Sequence, residues 1–597
     1  MRAKLPVVSI GTQSFEKLRN MESFYVDKTF FIKEWWENQD EVTLVTRPRR
    51  FGKTLNLSMT ECFFSNKYAG RSDLFEGLSI WEEEEYQKLQ GTFPVIFVSF
   101  AGVKSGKLQG AKDGIVNAIA NAYEAHSYLK KSDMLNEDEK RDFDRFKNYG
   151  TNLSMDRKIP DVAVSAAIQT LSMYLERNFG RKVMILLDEY DTPLQEAYVS
   201  GYWREMVAFI RELFNMTFKT NPFLEKALLT GITRVSKESI FSDLNHLEVV
   251  TTTSEKYCTS FGFTEAEVFR SLEERGLSSE KEMVKYWYDG FIFGSARDIY
   301  NPWSVTKYLD SERYGIYWAD TSSNRLVSEL IRKGSPKLKM QMEGLLAGDC
   351  VEVVLEEQVV FDQLFKKKGA IWSLLVASGY LKPVSSYFLP TKGETWYQLI
   401  ITNFETKRMF RSLISDWFSE DFTPYSDFKK ALLLGDLYYM NRFMNEVSKE
   451  MFSSFDVGNR PSDAMQPERF PSVKAITKGL TKPNPSACFY HGFVLGLIVD
   501  LSDRYWIRSN RESGFGRYDV IMEPKDQKDD AMILEFKVRN PDREQSLEET
   551  VEHALEQIRE KEYGTELISK GISREQIRSY GFAFEGKKVL IGQAPKE

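Results

Sequence analysis

The sequence predicts an α/β protein whose N-terminal part is a mostly parallel sheet with helices on both faces. Three observations carry this. Apolar, β-rich runs recur at "EVTLVT" (41–46), "FPVIFVSF" (93–100), "VMILL" (183–187) and "KALLTG" (226–231). Segments with helical periodicity lie between them, notably "AIQTLSMYLERNF" (167–179) and "YWREMVAFIRELFNMTF" (202–218). The five consecutive apolar residues Val183 to Leu187 are the pattern of a strand covered on both faces, as in a parallel sheet.

The elements follow in order. Residues 15–36 are a lead-in helix or turn before the first strand, and "TLNLSMTECFF" (54–64) starts a helix that buries Leu55, Met59 and Cys62. From about residue 264 the pattern turns to helical units with caps expected at Thr264 and Ser279, and Pro302 suits an early helical position. The region 315–420 mixes helices with short strands around "EVVLEEQVVF" and "WYQLIITNF". It reads as a helical lid leading into a small winged or connector domain, or as an unrelated adaptor.

Length and composition bound these readings. A chain of 597 residues holds roughly four domain-sized units, and 42% hydrophobic with 28% charged residues describes a globular protein rather than a disordered one. The formal net charge of -7 argues against a chain coated in basic surface, and leaves room for a local basic groove. Cys62, Cys258, Cys350 and Cys488 are far apart and lack metal-site spacing, so reduced, mostly buried thiols in a cytoplasmic protein are expected, and zinc is not. The longest apolar segments, such as "AIWSLLVASGYL" (370–381), are too short to span a bilayer, so no membrane association is expected.

"VTRPRRFGKTLNLS" (45–58) lies between the first strand and its helix. Gly52 lets the backbone approach a bound anion, the helix N-terminus supplies free amides, Lys53 can reach terminal phosphates and Thr54 offers a hydroxyl to magnesium. Arg47 stands where the usual pattern has its first glycine, and Pro48 removes an amide. Alone, the stretch also reads as a basic solvated turn. A second signal favours the phosphate loop: the strand 183–187 delivers Asp188 and Glu189 at its C-terminal end, where ligands bind in open α/β sheets. Asp188 there suits magnesium, and Glu189 suits orienting or deprotonating an attacking water. Arg234, in "TGITRVS", has two readings: contact with a terminal phosphate, or a structural ion pair.

Near the C-terminus, "RYDVIM" and "AMILEFKV" are β-runs separated by the charged turn "EPKDQKDD", which predicts a hairpin. Glu535 and Lys537 fall on one face of their strand and Phe536 on the other, and Asp519 approaches from the neighbouring strand. Two carboxylates and a lysine so placed suit magnesium or manganese and phosphodiester hydrolysis. They equally suit a solvated cross-strand charge ladder.

Taken together, "RPRRFGKTLNLS", "LLDEYDTPL", "TGITRVSKESIFSDLNHL", "FGFTEAEV", "WYDGF" and "YNPWS" closely resemble a bacterial family of AAA-ATPase-like proteins, many of which carry a C-terminal PD-(D/E)xK nuclease-like domain. The match covers roughly residues 5–310 and resumes near 485. The family's loop itself opens "RPRRFGKT", so Arg47 fits it. The resemblance implies an AAA-ATPase-like phosphate-loop domain at 1–262, a helical lid at 263–330, a connector, winged-helix-like in one reading, at 331–480, and an α/β restriction-endonuclease-like domain at 481–597. It implies ATP, with Arg50, Gly52, Lys53, Thr54 and Asp188 around it and Glu189 and Arg234 acting on it. It also implies magnesium, or manganese, at Asp519 and Glu535 with Glu512 as a further ligand, and Lys537 in catalysis. Arg511, Arg517 and Gln557 are expected along nucleic acid, DNA first. Gln557 stands six residues before Tyr563, against four in some relatives, which puts their joint role in question. The expected partners are nucleic acid and a second copy or a regulatory protein. The competing expectation is a nucleotide-dependent binding switch whose nuclease-like domain does not cut.

Overall fold

Five aliphatic runs form a parallel sheet in the computed structural model: β1 (Val42–Thr46), β2 (Val95–Ser99), β3 (Val183–Asp188), β4 (Leu224–Gly231) and β5 (Leu247–Val250). Their order is β2-β3-β4-β1-β5, with every pair parallel. β4 therefore separates β1 from β3, pairing Thr230 with Val45 and Leu229 with Leu187. All three strands leave the sheet at one edge. The structure describes residues 5–149, 159–233, 240–241, 244–318, 327, 336–355, 369–419, 423–451, 485–509, 512–513, 516–517, 519–526 and 528–595.

β1 and β3 are buried along their whole length, as a strand covered on both faces must be. The helix Lys53–Phe64 packs on β3 and β4, and Asp161–Phe179 packs on β3. Met59 and Cys62 are buried as expected, but Leu55 is only half-buried, and Leu57 and Phe63 enter the core. Among the described residues the cysteines are not mostly buried as expected: Cys258 is half-buried and Cys350 exposed. Lys53 points inward, which sets the rotation of the helix and directs Asn56, Leu57, Thr60, Phe63 and Phe64 to the same buried side. The lead-in comprises two helices, Phe15–Asn20 and Phe30–Glu37.

β6 (Phe263–Thr264), β7 (Phe291–Phe293) and β8 (Ala296–Tyr300) make a small antiparallel sheet. Thr264 caps the helix Glu265–Glu274 in a capping box with Glu267, and Asn301 caps Pro302–Ser311, whose first residue is Pro302. The cap expected at Ser279 is not formed. Ser278–Glu280 is a 3-10 turn, the Ser279 hydroxyl donates to Glu280, and the next helix starts at Lys281 without a side-chain cap. β9 (Val351–Val354), β10 (Leu381–Leu389) and β11 (Glu394–Ile401) form an antiparallel sheet in the order β10-β11-β9, beside the buried helix Ala370–Ala377.

The chain divides into two units, Met1–Leu330 with Cys350–Lys407, and Ile331–Asp349 with Arg408–Glu597. The second unit holds β12 (Tyr505–Ser509), the two-residue strands β13 (Glu512–Ser513) and β14 (Gly516–Arg517), β15 (Val520–Pro524), β16 (Ala531–Val538), β17 (Ile577–Glu585) and β18 (Lys588–Gln593). The five longer strands form a mixed sheet, β12-β15-β16-β17-β18, in which only β16 and β17 run parallel. Met532, Leu534 and Phe536 join one core with Val494 and Leu497 of the helix Pro485–Ile498, while Ile533 joins another with Ile558 and Tyr563. β18 is an edge strand, and its exposed pairing groups are taken by a helix. Asn441 and Asn445 of Leu437–Met451 each donate to and accept from the backbone of Ile591 and Val589, and the Ser448 hydroxyl donates to Lys587 O. Among the described residues no helix is long and apolar enough to cross a membrane.

Candidate functional sites

The loop after β1 is built around two buried cations. Arg47 is fully buried, so a solvated turn does not describe it. Its Nη1 donates to Thr46 O (3.0 Å) and Thr251 O (2.6 Å), its Nη2 to Lys256 O and Tyr257 O, and the guanidinium lies 4.7 Å from the Phe293 ring centre. Arg47 thus binds no ligand itself. It ties the opening of the loop to the chain leaving β5. Gly52, at φ +80°, makes the left-handed turn into the helix, and Asn56 N donates to Gly52 O (2.9 Å) to start it.

Lys53 Nζ turns into the loop and donates to Arg47 O (2.8 Å) and Pro48 O (2.7 Å). Burial pulls its pKa down to about 8, against the pull of Glu189, Asp191 and Asp188. Across the edge, Thr54 Oγ1 donates to Asp188 Oδ2 (2.8 Å), and Thr230 Oγ1 donates to Asp188 Oδ1 (2.6 Å). Burial raises the Asp188 pKa, and the two hydroxyls oppose the rise. A helix-terminal hydroxyl meeting a strand-terminal carboxylate is a donor set of hard oxygens that fits magnesium. Glu189 holds a left-handed φ of +50° at the mouth and accepts from Thr192 Oγ1 (3.0 Å). Arg50, φ +65°, is its counterpart on the loop. Non-glycine residues adopt this conformation at a cost.

Arg234 lies outside the described residues, but the turn leading to it is held firmly. Asp191, buried, accepts at Oδ2 from Ile232 N (3.1 Å), Thr233 N (2.9 Å) and Thr233 Oγ1 (2.9 Å), and Tyr190 Oη donates to Thr233 O (2.6 Å). A side chain at Gly231 would strike the Tyr190 ring. Sequence reasoning gave Tyr190 and Asp191 no role, although both stand in the motif "LLDEYDTPL" directly after the acidic pair.

In the second unit, β15 and β16 pair as a hairpin, Val520 opposite Leu534, which brings Asp519 beside Glu535. Asp519 Oδ2 accepts from Phe536 N (2.9 Å). Phe536 turns into the core on one face, and Glu535 and Lys537 face the helix Leu547–Glu560 on the other. Gln557 of that helix links the group: its Nε2 donates to Glu535 Oε1 and to Tyr563 Oη (3.1 Å), and its Oε1 accepts from Lys537 Nζ (2.7 Å). The six-residue spacing from Gln557 does not keep Tyr563 away. The helix ends at Glu560, and Glu562 at φ +51° turns the chain so that Tyr563 N reaches Ile558 O.

Glu535 is 3% exposed, and its Oε2 is buried without a hydrogen-bond partner. Burial, then the neighbouring Asp519 charge, pushes its pKa up to about 8, while Lys537, the Asp519 backbone amide and Gln557 pull it down. An orphaned carboxylate oxygen beside a second carboxylate fits a divalent cation. Glu512 and Arg517 face each other in the short β13-β14 bridge; their side chains, and residue 511, lie outside what is described. Among the described residues no three acidic, histidine or cysteine side chains gather into a metal-binding group.

Comparison with known proteins finds matches to two segments of the chain. Residues 9–241 match a family described as predicted AAA-ATPase, and residues 488–594 match the PD-(D/E)XK nuclease superfamily. A protein of Azotobacter chroococcum mcd 1, described as an uncharacterized protein in the vnfD 5' region, is 25% identical over 382 residues, 62% of this chain. The chain spans 65% of that relative's length. The Thr54–Asp188 edge thus falls in one matched segment and the Asp519–Glu535–Lys537 face in the other, and the chain joins an AAA-ATPase-like domain to a PD-(D/E)XK nuclease superfamily domain.

Proposed function

We propose that this protein binds and hydrolyses ATP at the loop 47–54 and, under control of that nucleotide, cleaves a phosphodiester of nucleic acid, DNA first, at Asp519, Glu535 and Lys537. The observation that carries the second activity is the buried, unpartnered Glu535 Oε2 beside Asp519, with Lys537 held on the same face by Gln557. In the first site Lys53 exchanges its two loop carbonyls for phosphate oxygens, Thr54 and Asp188 hold magnesium, and Glu189 orients or deprotonates the attacking water. Arg50, and Arg234 in cis or from a second copy, meet the terminal phosphate. In the second site Asp519 and Glu535 hold magnesium or manganese, which when bound activates water and offsets charge on the scissile phosphate. Lys537 directs that water or neutralises the phosphate. Arg511 and Arg517 follow the nucleic-acid backbone, Gln557 keeps Glu535 and Lys537 in register, and Glu512 adds a ligand. We further propose the division 1–262, 263–330, 331–480 and 481–597 into ATPase, lid, connector and nuclease, working in the cytoplasm.

Incubation of the full chain with labelled single-stranded and duplex DNA and RNA, in magnesium or manganese, with and without ATP, tests this directly. Products that depend on metal, change with ATP and vanish in Asp519→Ala support it. A second reading, a nucleotide-dependent binding switch, draws on one observation: the Glu535 carboxyl is buried beside Asp519, and both burial and that charge oppose its ionisation. ATP binding by wild type with no cleavage of any polymer would favour that reading.

A further inference from the structure

Among the aromatic side chains that touch the phosphate loop, one meets the exposed cation at its mouth. Trp303, second residue of the helix Pro302–Ser311, lies with its ring centre 4.1 Å from the Arg50 guanidinium carbon. The stretch "YNPW" makes two contacts with the loop. Asn301 Oδ1 accepts from Trp303 N (2.9 Å) and Ser304 N (3.2 Å), fixing the start of the helix, while its Nδ2 donates to Arg49 O (3.2 Å). Asn301 is fully buried at this joint. Gly11, φ +79°, passes beside the ring edge, where even an added Cβ would sit 3.9 Å away.

Arg50 is exposed and has a left-handed backbone, and a long cationic side chain so placed would ordinarily sample many rotamers. A tryptophan face removes that freedom, because cation and ring attract strongly and both are planar. Arg50 also feels Glu189, the residue proposed to act on water, across the mouth. We propose that Trp303 is a positioning residue of the ATP site: its ring holds the Arg50 guanidinium at the mouth of the loop, opposite Glu189, ready for the terminal phosphates. The helix Pro302–Ser311 is thereby coupled to the presence of nucleotide. This assignment rests on the ATP-binding reading above.

A double-mutant cycle on the full chain tests it, with ATP titration and steady-state ATP hydrolysis as readouts. Trp303→Leu should weaken ATP binding about threefold, the loss falling on KM. In an Arg50→Ala background the same change should cost nothing more, since the cation it positions is gone. Trp303→Phe, which keeps an aromatic face, should fall between wild type and Trp303→Leu, and it carries the test through the same cycle if thermal melting shows Trp303→Leu unfolded. Wild-type affinity in these tryptophan variants, or equal losses with and without Arg50, overturns the inference alone. A wild type that binds no ATP overturns the underlying reading as well.

Discussion

The two sites treat a buried charge in opposite ways. At the phosphate loop the two charged groups that would meet nucleotide and metal are already satisfied from within: Lys53 donates to two carbonyls, and each oxygen of Asp188 takes a hydroxyl. On the β16 face Glu535 has one oxygen bonded by Gln557 and one left bare. Burial drives the lysine down and the carboxyl up to the same value, about 8. The contrast teaches how to read each site. A self-satisfied loop gives up internal hydrogen bonds when its anion arrives, whereas an under-satisfied face is completed by its cation.

The largest expected effect separates the sites outright. Asp519→Ala or Glu535→Ala should lower strand cleavage about a thousandfold or more while ATP titrates as in wild type. Loss of ATP binding in either variant would show the two sites are not separable. Conversely, Lys53→Ala should weaken ATP binding on the order of a hundredfold, and Glu189→Gln should keep binding while slowing hydrolysis about a hundredfold. Unchanged affinity in Lys53→Ala would remove the loop from the phosphate site.

Gln557→Ala releases Glu535 and Lys537 together, and cleavage should drop about ten- to a hundredfold with little change in thermal unfolding. A drop confined to stability would reduce Gln557 to packing. The smaller effects are in pH. Phosphate keeps Lys53 protonated, so ATP binding takes up a proton above pH 8 and affinity should fall as pH rises through that value. A cation needs Glu535 ionised, so its binding releases a proton, and metal affinity should rise with pH up to about 8. Calorimetry in buffers of different ionisation heat gives both signs, and like signs would break the comparison. For stability, the folded carboxyl titrates above its unfolded value of 4.5, so its burden is absent below that pH and grows toward 8. Glu535→Gln should therefore melt higher than wild type at pH 8, on the order of 1 kcal/mol, while losing cleavage.

Much of this was legible in local pattern. The buried run Val183–Leu187 announced its acidic exit, and period-two alternation placed Glu535 and Lys537 on one face and Phe536 on the other. Less accessible was anything set by the rotation of an element. Leu55 was expected in the core, but Lys53 turns into the loop and carries Leu57 inward instead. Ser279 has the chemistry of a cap, yet the chain takes a 3-10 turn there. Arg47 carries no sign of burial in its neighbours; three of its four partners are carbonyls more than two hundred residues away.

The sequence by itself determined the strands β1 to β4, the helices at 54–64, 167–179 and 202–218, the hairpin of β15 and β16, and which polar side chains leave the sheet's edge, because hydrophobic period and turn chemistry act over a few residues. Tertiary structure decided the rest. Inserting β4 between β1 and β3 brought Thr230 onto Asp188, the left-handed turn at Glu562 returned Tyr563 to Gln557, and Asn441 and Asn445 closed the edge of β18. Each of these joins groups whose separation along the chain is unrelated to their distance in space. Such partners are selected by the need to satisfy a buried polar group, which exists only once the chain has folded around it.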